Sequence, residues 1–208
     1  MGDACLTRSE TLAHGGSDRL LPWVQAMLAE AGTTLQQLDG IAFGAGPGGF
    51  TGLRLACGVA QGLAFGADLP VVGVCTLEAM AFNAQADRVF ACLDARMNEV
   101  YVAAYVRDAD ARFGCVMVPT VLPPESVVLP DGEWAAVGDG FAAYANVLQK
   151  VCPQADVTIV PTAEAVARLA QPRFARGEAQ PAASAAPLYV RDKVALTTAE
   201  RLARGGIR

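Results

Sequence analysis

The sequence predicts an α/β fold with two lobes, and three observations support this prediction. In the first part of the chain, apolar strand-like segments alternate with segments of helical periodicity, which is typical of parallel strands joined by helices. The pattern restarts near Asp87, where two strand-like segments flank a polar turn. The chain has 208 residues, of which 53% are hydrophobic and 18% charged, so it can form two modest cores. We therefore divide it into residues 1–86 and 87–208.

The first lobe is predicted to begin with a strand and a helix. Residues 4–12 predict a short strand, and the next apolar residues recur at helical spacing over 18–31. Ser17 or Asp18 suits the N-cap of this helix, and Gly32 suits its C-terminal end. The remaining elements of this lobe are a strand at 40–44, a helix from Phe50 or Thr51 to Phe65 that Gly66 closes, a strand at 70–74, and a helix that Thr76 caps.

The second lobe is predicted to open with a hairpin, formed by strands at 89–93 and 99–106 around the turn 94–98. Four prolines then predict a stretch without regular structure, at positions 119, 123, 124 and 130. The later elements are a strand at 135–137, a helix at 144–151, a strand at 158–160, a helix at 163–170 and an Ala/Pro-rich surface connection at 171–187.

The charge of the chain disfavours direct binding of nucleic acid. The formal net charge is -5 and the pI is near 4.9, whereas proteins that hold a phosphate backbone concentrate Lys and Arg. If the function involves a nucleic acid, we expect a partner to hold it.

The cysteines predict a reducing compartment and no metal site. All six stand singly, without a CxxC pair, and the chain has one histidine, His14. This pattern matches neither a metal site nor a disulfide framework, so we expect a cytoplasmic protein. The apolar stretch 55–74 is interrupted by Gln61, Asp68 and Pro70, which predicts a buried helix and strand and no membrane span.

The glycine-rich segment 44–49 lies between a predicted strand and a predicted helix and matches the pattern GxGxxG. This placement is what a dinucleotide-binding domain requires. The acidic residue expected after the next strand is missing, however, since Asp68 precedes that strand. A Walker loop is excluded because the segment has no lysine. The alternative is that the glycines only form a sharp turn with positive φ angles.

The helix after this turn is rich in small residues. Gly58 and Gly62 each cost about 1 kcal/mol of helix propensity relative to alanine, so close packing against a neighbour should offset that cost. The neighbour lies either within the same lobe or in a partner subunit. The small residues form two stripes with four-residue spacing: Gly52, Ala56, Ala60 and Ala64, and Gly58, Gly62 and Gly66.

The residues that lead from this turn into the helix resemble the signature of the TsaB (YeaZ-like) family. They are Gly46, Pro47, Gly48, Gly49, Phe50, Thr51, Gly52, Leu53 and Arg54, and Gly49 stands where the family usually has serine. Three further segments resemble the family in the same order along the chain: 20–22, 72–79 and 94–101. The tail segment 187–191 also fits, so the resemblance spans nearly the whole chain.

The resemblance implies an actin-like (ASKHA, ribonuclease H-like) fold and a role in making threonylcarbamoyladenosine beside the tRNA anticodon. It implies a non-catalytic subunit that dimerises with a larger, TsaD-like catalytic subunit through a helical bundle, and family members also form homodimers. A TsaE-like ATPase would join the complex, and tRNA would be contacted only indirectly. No cofactor is expected for this subunit, although ATP or ADP can bind in the assembled complex.

From this resemblance we predict a partner surface on the helices at 18–31 and 51–65. Its residues are Leu20, Trp23, Val24, Met27, Gly52, Ala56, Val59, Ala60 and Leu63. For Trp23 and Met27, burial in the core is the alternative to a place in the interface. Arg54 is expected to pair with an acidic neighbour or to reach a phosphate.

A second candidate site lies at the predicted hairpin. The resemblance implies that Asp94, Arg96 and Glu99 face the cleft where actin-like folds bind nucleotide, and the rival function is a nucleotide-binding enzyme of the sugar-kinase class. The alternative is a turn that its own charged side chains stabilise.

The start of the sequence departs from the family. Relatives begin with a strand and turn of the form Leu-Ala-Ile-Asp-Thr-Ser/Thr, which this sequence does not show. The resemblance therefore predicts a first lobe that lacks its first strands, and residues upstream of Met1 in the native protein. Because the missing turn faces phosphate in actin-like folds, this departure weighs against nucleotide binding.

Overall fold

Two β-sheets organise the chain in the computed structural model, which describes residues 4–10, 16–109 and 112–191. The helices are α1 (Gly16–Glu30), α2 (Phe50–Ala67), α3 (Thr76–Asn83), α4 (Gly140–Ala143), α5 (Ala145–Leu148) and α6 (Ala163–Ala175). The strands are β1 (Ile41–Gly46), β2 (Val71–Cys75), β3 (Arg88–Arg96), β4 (Glu99–Arg107), β5 (Phe113–Leu122) and β6 (Ala135–Val137). Short 3-10 helices lie at Leu35–Gln37, Pro124–Ser126 and Ala182–Ser184.

The first sheet consists of β1 and β2, which are parallel and joined by α2. On one face, Cys57 and Ala60 of α2 share a core with Phe43 of β1. On the other face, Leu169 of α6 shares a core with Val74 of β2. Helices thus cover both faces, as parallel strands require because both of their faces are apolar.

The second sheet has the order β5-β4-β3-β6, in which β3, β4 and β5 are antiparallel and β6 is parallel to β3. On one face, Leu77 and Met80 of α3 pack against Val89. On the opposite face, Phe141 of α4 and Leu148 of α5 pack in a second core. The predicted β3–β4 hairpin is confirmed, but the turn predicted at 94–98 is shorter, because β3 continues to Arg96 and only Met97 and Asn98 form the turn. α3 also contacts β1 and β2, so it joins the two sheets.

The outer edge of β1 borders a groove. Within the described residues, β1 pairs only with β2, so no described strand lies along its other side. The groove has a volume of about 520 Å³ and is lined by Ala42 and Gly44 of β1 and by Val166 and Phe174 of α6. The predicted strand at 4–12 is wrong over residues 4–10, which are exposed and irregular, and its last two residues lie outside the described ranges.

The ends of the helices differ from the predicted ones by a few residues. α1 begins at Gly16, so Ser17 and Asp18 lie in its first turn and neither is the N-cap. Gly32 ends this helix with φ +63, as predicted. α2 runs past Gly66 and ends at Asp68, which takes the left-handed conformation with φ 53. Thr76 is the first residue of α3, and Cys75 is its N-cap.

The largest difference from the prediction in the second half is the strand β5, which was not predicted because of the prolines in this part of the sequence. Pro119 lies inside β5, although the prolines predicted no regular structure there. β5 pairs only with β4 among the described strands, so it is an edge strand. An edge strand tolerates proline because the N–H that proline lacks can be one that would otherwise point outward, away from the sheet. The predicted strand at 158–160 is also wrong, since these residues form a turn and irregular chain.

Three further segments of the second half need correction or extension. Two short helices, α4 and α5, replace the single helix predicted at 144–151. α6 continues to Ala175, so it occupies the start of the predicted connection 171–187. The rest of that connection returns to the first sheet, where Gln180 pairs with Val71. The division at residue 87 stays a prediction.

The apolar stretch 55–74 divides between α2, a short turn and β2, in agreement with the sequence prediction. Across the described ranges, no helix combines the length and the apolar character needed to cross a membrane.

Candidate functional site

A cleft of about 620 Å³ brings together the glycine-rich turn, the β3–β4 hairpin and the tail of the described chain. Its walls include residues at or near the carboxyl ends of four strands: Pro47 after β1, Thr76 after β2, Asp94 two residues before the end of β3, and Asp139 two residues after β6. In α/β proteins, ligands bind at the carboxyl ends of strands in this way. This cleft is therefore the candidate site.

The glycine-rich turn and the start of α2 form the first wall of the cleft, and the β3–β4 hairpin forms the second wall. Gly46 fixes the shape of this turn. It has φ +115, and a Cβ there would lie 2.9 Å from Leu53 Cδ1 and 3.0 Å from the carbonyl oxygen of Leu188. The peptide bond from Gly46 to Pro47 is cis. Gly49 is the N-cap of α2 and has ordinary backbone angles, with no side chain to cap the helix. The interpretation of the glycines as a sharp turn with positive φ angles therefore holds for Gly46. Gly49 instead begins a helix that has no side-chain cap.

Arg54, in the second turn of α2, lies among aromatic rings. Its guanidinium carbon is 3.4 Å from the centroid of the Phe50 ring, and its Nε donates to the hydroxyl of Tyr189 at 3.1 Å. The prediction of an acidic partner is not met within the described part of the chain, where these aromatic contacts hold the guanidinium. Arg54 thus links the start of α2 to the tail.

Asp94 and Arg96 pair with each other in the hairpin. Their side chains form an ion pair of 2.8 Å, and the Arg96 N–H donates to Asp94 Oδ1 at 2.8 Å. The Asp94 N–H donates to the carboxylate of Asp139 at 2.9 Å. Burial, and then the nearby Asp94 carboxylate, raise the pKa of the Tyr144 hydroxyl, which donates to Asp94 at 3.3 Å. These contacts favour a turn stabilised by its own charges.

Glu99 has a partner that the sequence did not reveal. It forms an ion pair with Arg191, whose side chain is only 12% exposed. Arg191 also donates from Nη2 to the carbonyl oxygen of Ala95 at 3.1 Å, and its guanidinium lies 5.8 Å from the Tyr101 ring centroid. The only signal in the sequence was the tail segment 187–191, which resembles the family.

Two carboxylates at the cleft are already engaged with basic side chains. The carboxylates of Asp94 and Glu99 each have an arginine partner. Behind the hairpin, burial raises the pKa of the Cys92 thiol to about 12, and the Asp139 and Asp94 carboxylates add to this shift. This thiol is therefore protonated at neutral pH and is a poor nucleophile. The described residues contain no group of three or more His, Cys, Asp and Glu able to hold a metal ion.

The predicted partner surface lies away from the main core, with one exception. No described residue of α1 is buried, and Leu20, Trp23, Val24 and Met27 are each half-buried. In α2, Gly52 is exposed and Ala56, Val59 and Leu63 are half-buried. Ala60 is the exception, because it is only 5% exposed and packs in the core of the first sheet.

The two small-residue stripes of α2 face opposite ways. Ala60 and Ala64 point into the core. Gly58, Gly62 and Gly66 are exposed, and a Cβ at each would have no described atom beyond the helix's own backbone within 4 Å. Beside them, Phe65 is 77% exposed. The helix thus presents an open surface of small residues flanked by a large aromatic side chain.

Comparison with known proteins gives consistent matches over most of the chain. Residues 10–199 match the family model described as TsaD: tRNA N6-adenosine threonylcarbamoyltransferase. The tRNA threonylcarbamoyladenosine biosynthesis protein TsaB of Escherichia coli (strain K12) is 40% identical over 190 residues, which cover 86% of this chain and 82% of that protein. The protein of the same name from Haemophilus influenzae is 40% identical over 189 residues, covering 85% and 80%.

Two solved structures are also similar. A protein from Pseudomonas aeruginosa, described as having similarity to peptidase YEAZ, gives a TM-score of 0.83 at 38% identity and 92% coverage of both chains. YeaZ from Pseudomonas aeruginosa gives a TM-score of 0.77 at 40% identity and 86% coverage of both chains.

Proposed function

Because this chain belongs to the TsaB (YeaZ-like) family and so to tRNA threonylcarbamoyladenosine biosynthesis, we propose that it is a non-catalytic subunit that pairs with a TsaD-like catalytic subunit. The family match and the YeaZ structures confirm the predicted actin-like α/β fold. In this proposal the partner transfers the threonylcarbamoyl group to the adenosine beside the anticodon. A TsaE-like ATPase joins the pair, and tRNA reaches this chain only through the partner.

The open surface of α2 is the observation that carries this proposal. A glycine inside a helix costs about 1 kcal/mol relative to alanine. Among the described residues, no atom outside the helix's own backbone lies within 4 Å of a Cβ placed at Gly58, Gly62 or Gly66. Close approach of another helix would offset this cost, because small residues let two backbones come near. Phe65 beside them suits an aromatic anchor, a residue type enriched in binding hot spots.

α1 supports the same proposal. It is a helix of 15 residues with apolar side chains but without a buried residue. An amphipathic helix gains most of its stability by burying its apolar stripe. Docking of a second helical subunit, either TsaD-like or a second copy of this chain, would bury more of Leu20, Trp23 and Met27.

The chemistry of the chain fits a supporting role in the cytoplasm. A single histidine in the whole sequence cannot supply a two-histidine metal site, and we expect neither a metal nor a resident cofactor. The cysteines at 57 and 92 are buried and free, which fits a reducing compartment.

The sharpest test replaces Gly62 by glutamine. The new side chain has room in the isolated chain, so the free energy of unfolding should rise by about 0.5–1 kcal/mol. The affinity for the TsaD-like subunit of the same organism should fall at least about tenfold, because the side chain blocks close approach. Isothermal titration calorimetry measures the affinity, and urea unfolding measures the stability.

The matched control is Ala175→Gln, which adds the same side chain at the exposed end of α6. It should leave the affinity for the partner unchanged. Equal affinities for the Gly62→Gln variant and the original chain would refute the docking surface. Normal threonylcarbamoyladenosine content of tRNA in cells depleted of this protein would refute the function itself.

A further inference from the structure

A short segment, residues 188–191, contacts both walls of the cleft. On the first wall, the Leu188 N–H donates to the carbonyl oxygen of Ala45 at 2.7 Å. The Tyr189 hydroxyl accepts from Arg54 at 3.1 Å, and Arg54 in turn lies on the Phe50 ring. The segment is therefore fixed to the end of β1 and to the start of α2.

On the second wall, the same segment holds the hairpin. Val190 packs against the core between α3 and the second sheet. Arg191 forms the ion pair with Glu99 and donates to the carbonyl oxygen of Ala95. Its Nη1 also lies 3.6 Å from the Met97 sulfur. Four consecutive residues thus connect two parts of the structure that lie on opposite sides of the cleft.

The hairpin needs such support because its tip is strained. Arg96, Met97 and Asn98 have φ angles of 60, 57 and 59, which non-glycine residues rarely adopt. A conformation of this kind persists only where surrounding contacts hold it. The contacts of Arg191 with Ala95, Met97 and Glu99 act directly on this tip.

We propose that residues 188–191 form a clasp that couples the hairpin to the turn at the start of α2, with the Arg191–Glu99 ion pair as its latch. Release of the latch frees the strained hairpin tip, and it also frees Tyr189 and Leu188 from the turn. The two walls of the cleft then open together. This inference concerns the chain alone and does not depend on the proposed partner.

Hydrogen exchange measured by mass spectrometry on the full chain tests the clasp. In the Arg191→Gln variant, amides of residues 94–101 and of residues 46–53 should both exchange at least about threefold faster than in the original chain. A local ion pair without coupling would change only the hairpin, because the ion pair and the hydrogen bonds of Arg191 described above all go to hairpin residues. Unchanged exchange at 46–53 would overturn the proposal.

Three further variants complete the test. Glu99→Gln breaks the same latch from the other side and should reproduce both changes, which covers the case in which Arg191→Gln does not fold. Tyr189→Phe releases the clasp at its other end and should speed exchange in the hairpin as well as in the turn. Arg96→Gln removes the ion pair with Asp94 on the same hairpin but leaves the clasp intact, so faster exchange should stay within 94–98. Spread of its effect to 46–53 would overturn the proposal.

Discussion

Glycine serves opposite purposes at Gly138 and Gly58. Gly138 has φ +112, and a Cβ there would lie 2.2 Å from the carbonyl oxygen of Cys92. This close approach sets the loop after β6 against β3, and so places Asp139 beside the amide of Asp94. Gly58 has helical geometry and open space around it. The first glycine is required by the fold, and the second weakens the helix that holds it.

The substitution of each glycine by alanine should therefore have opposite effects on stability. Gly138→Ala should lower the free energy of unfolding by more than about 2 kcal/mol, because the methyl group clashes with backbone and the φ angle is strained. Gly58→Ala should raise it by about 0.5–1 kcal/mol through helix propensity. Urea unfolding followed by circular dichroism measures both. A neutral Gly138→Ala variant would contradict the close approach.

At the scale of elements, a buried ion pair joins α3 to α6. Glu78 in α3 is only 8% exposed and pairs with Arg173 near the end of α6. Arg173 also reaches the carbonyl oxygen of Gly73 in β2 at 3.4 Å. The pair thus ties the helix that joins the two sheets to the helix that covers the first sheet.

Removal of one member of this pair should cost stability. Glu78→Gln should lower the free energy of unfolding by about 2 kcal/mol, since Arg173 loses its charge partner in a largely buried place. Thermal unfolding and urea unfolding both report this change. The exposed pair Arg176–Glu178 gives the control, and Glu178→Gln should have no measurable effect. Equal effects of the two variants would show that Glu78 behaves as a surface residue.

Elements with local signals were predictable from the sequence, and elements defined by distant contacts were not. α2, β2 and the β3–β4 hairpin follow from apolar periodicity bounded by glycine, proline or polar turns. β5 was missed because Pro119 is acceptable only on an edge strand, and edge position is a property of the assembled sheet. Residues 158–160 are apolar enough for a strand but have no described strand partner.

Both walls of the candidate site contain residues that the sequence singled out, but the contact of the tail with the hairpin was not predictable. Asp94, Arg96 and Glu99 were expected in the cleft, and the structure places Asp94 and Arg96 in its lining, with Glu99 beside it. Arg191 pairs with Glu99 across 92 positions of sequence, and no periodicity can reveal a contact of that range. The partner surface on α1 and α2 stays a prediction, with Ala60 assigned to the core by its burial.

For the whole molecule, the structure offers a test of the rival nucleotide-binding function. Asp94 in the lining of the cleft and Glu99 beside it already have Arg96 and Arg191 as partners. Asp139, the other carboxylate of the lining, accepts the N–H of Asp94. These contacts compete with a nucleotide and its magnesium ion for the same carboxylates. We therefore expect isothermal titration calorimetry of the isolated chain with Mg-ATP to show no binding heat, with a TsaE-like ATPase as the positive control. Stoichiometric binding with ATP turnover would favour the sugar-kinase class.

Among the described residues, the outer edge of β1 has no strand partner, and this has a consequence for how the isolated chain behaves in concentrated samples. A strand margin without a neighbour presents free amide and carbonyl groups that can template growth by other chains. Proline or charged side chains commonly block such growth, whereas this margin carries Ala42 and Gly44. High concentration or heating should therefore cause the β1 edge strands of separate molecules to pair. Irreversible aggregation will then compete with reversible unfolding.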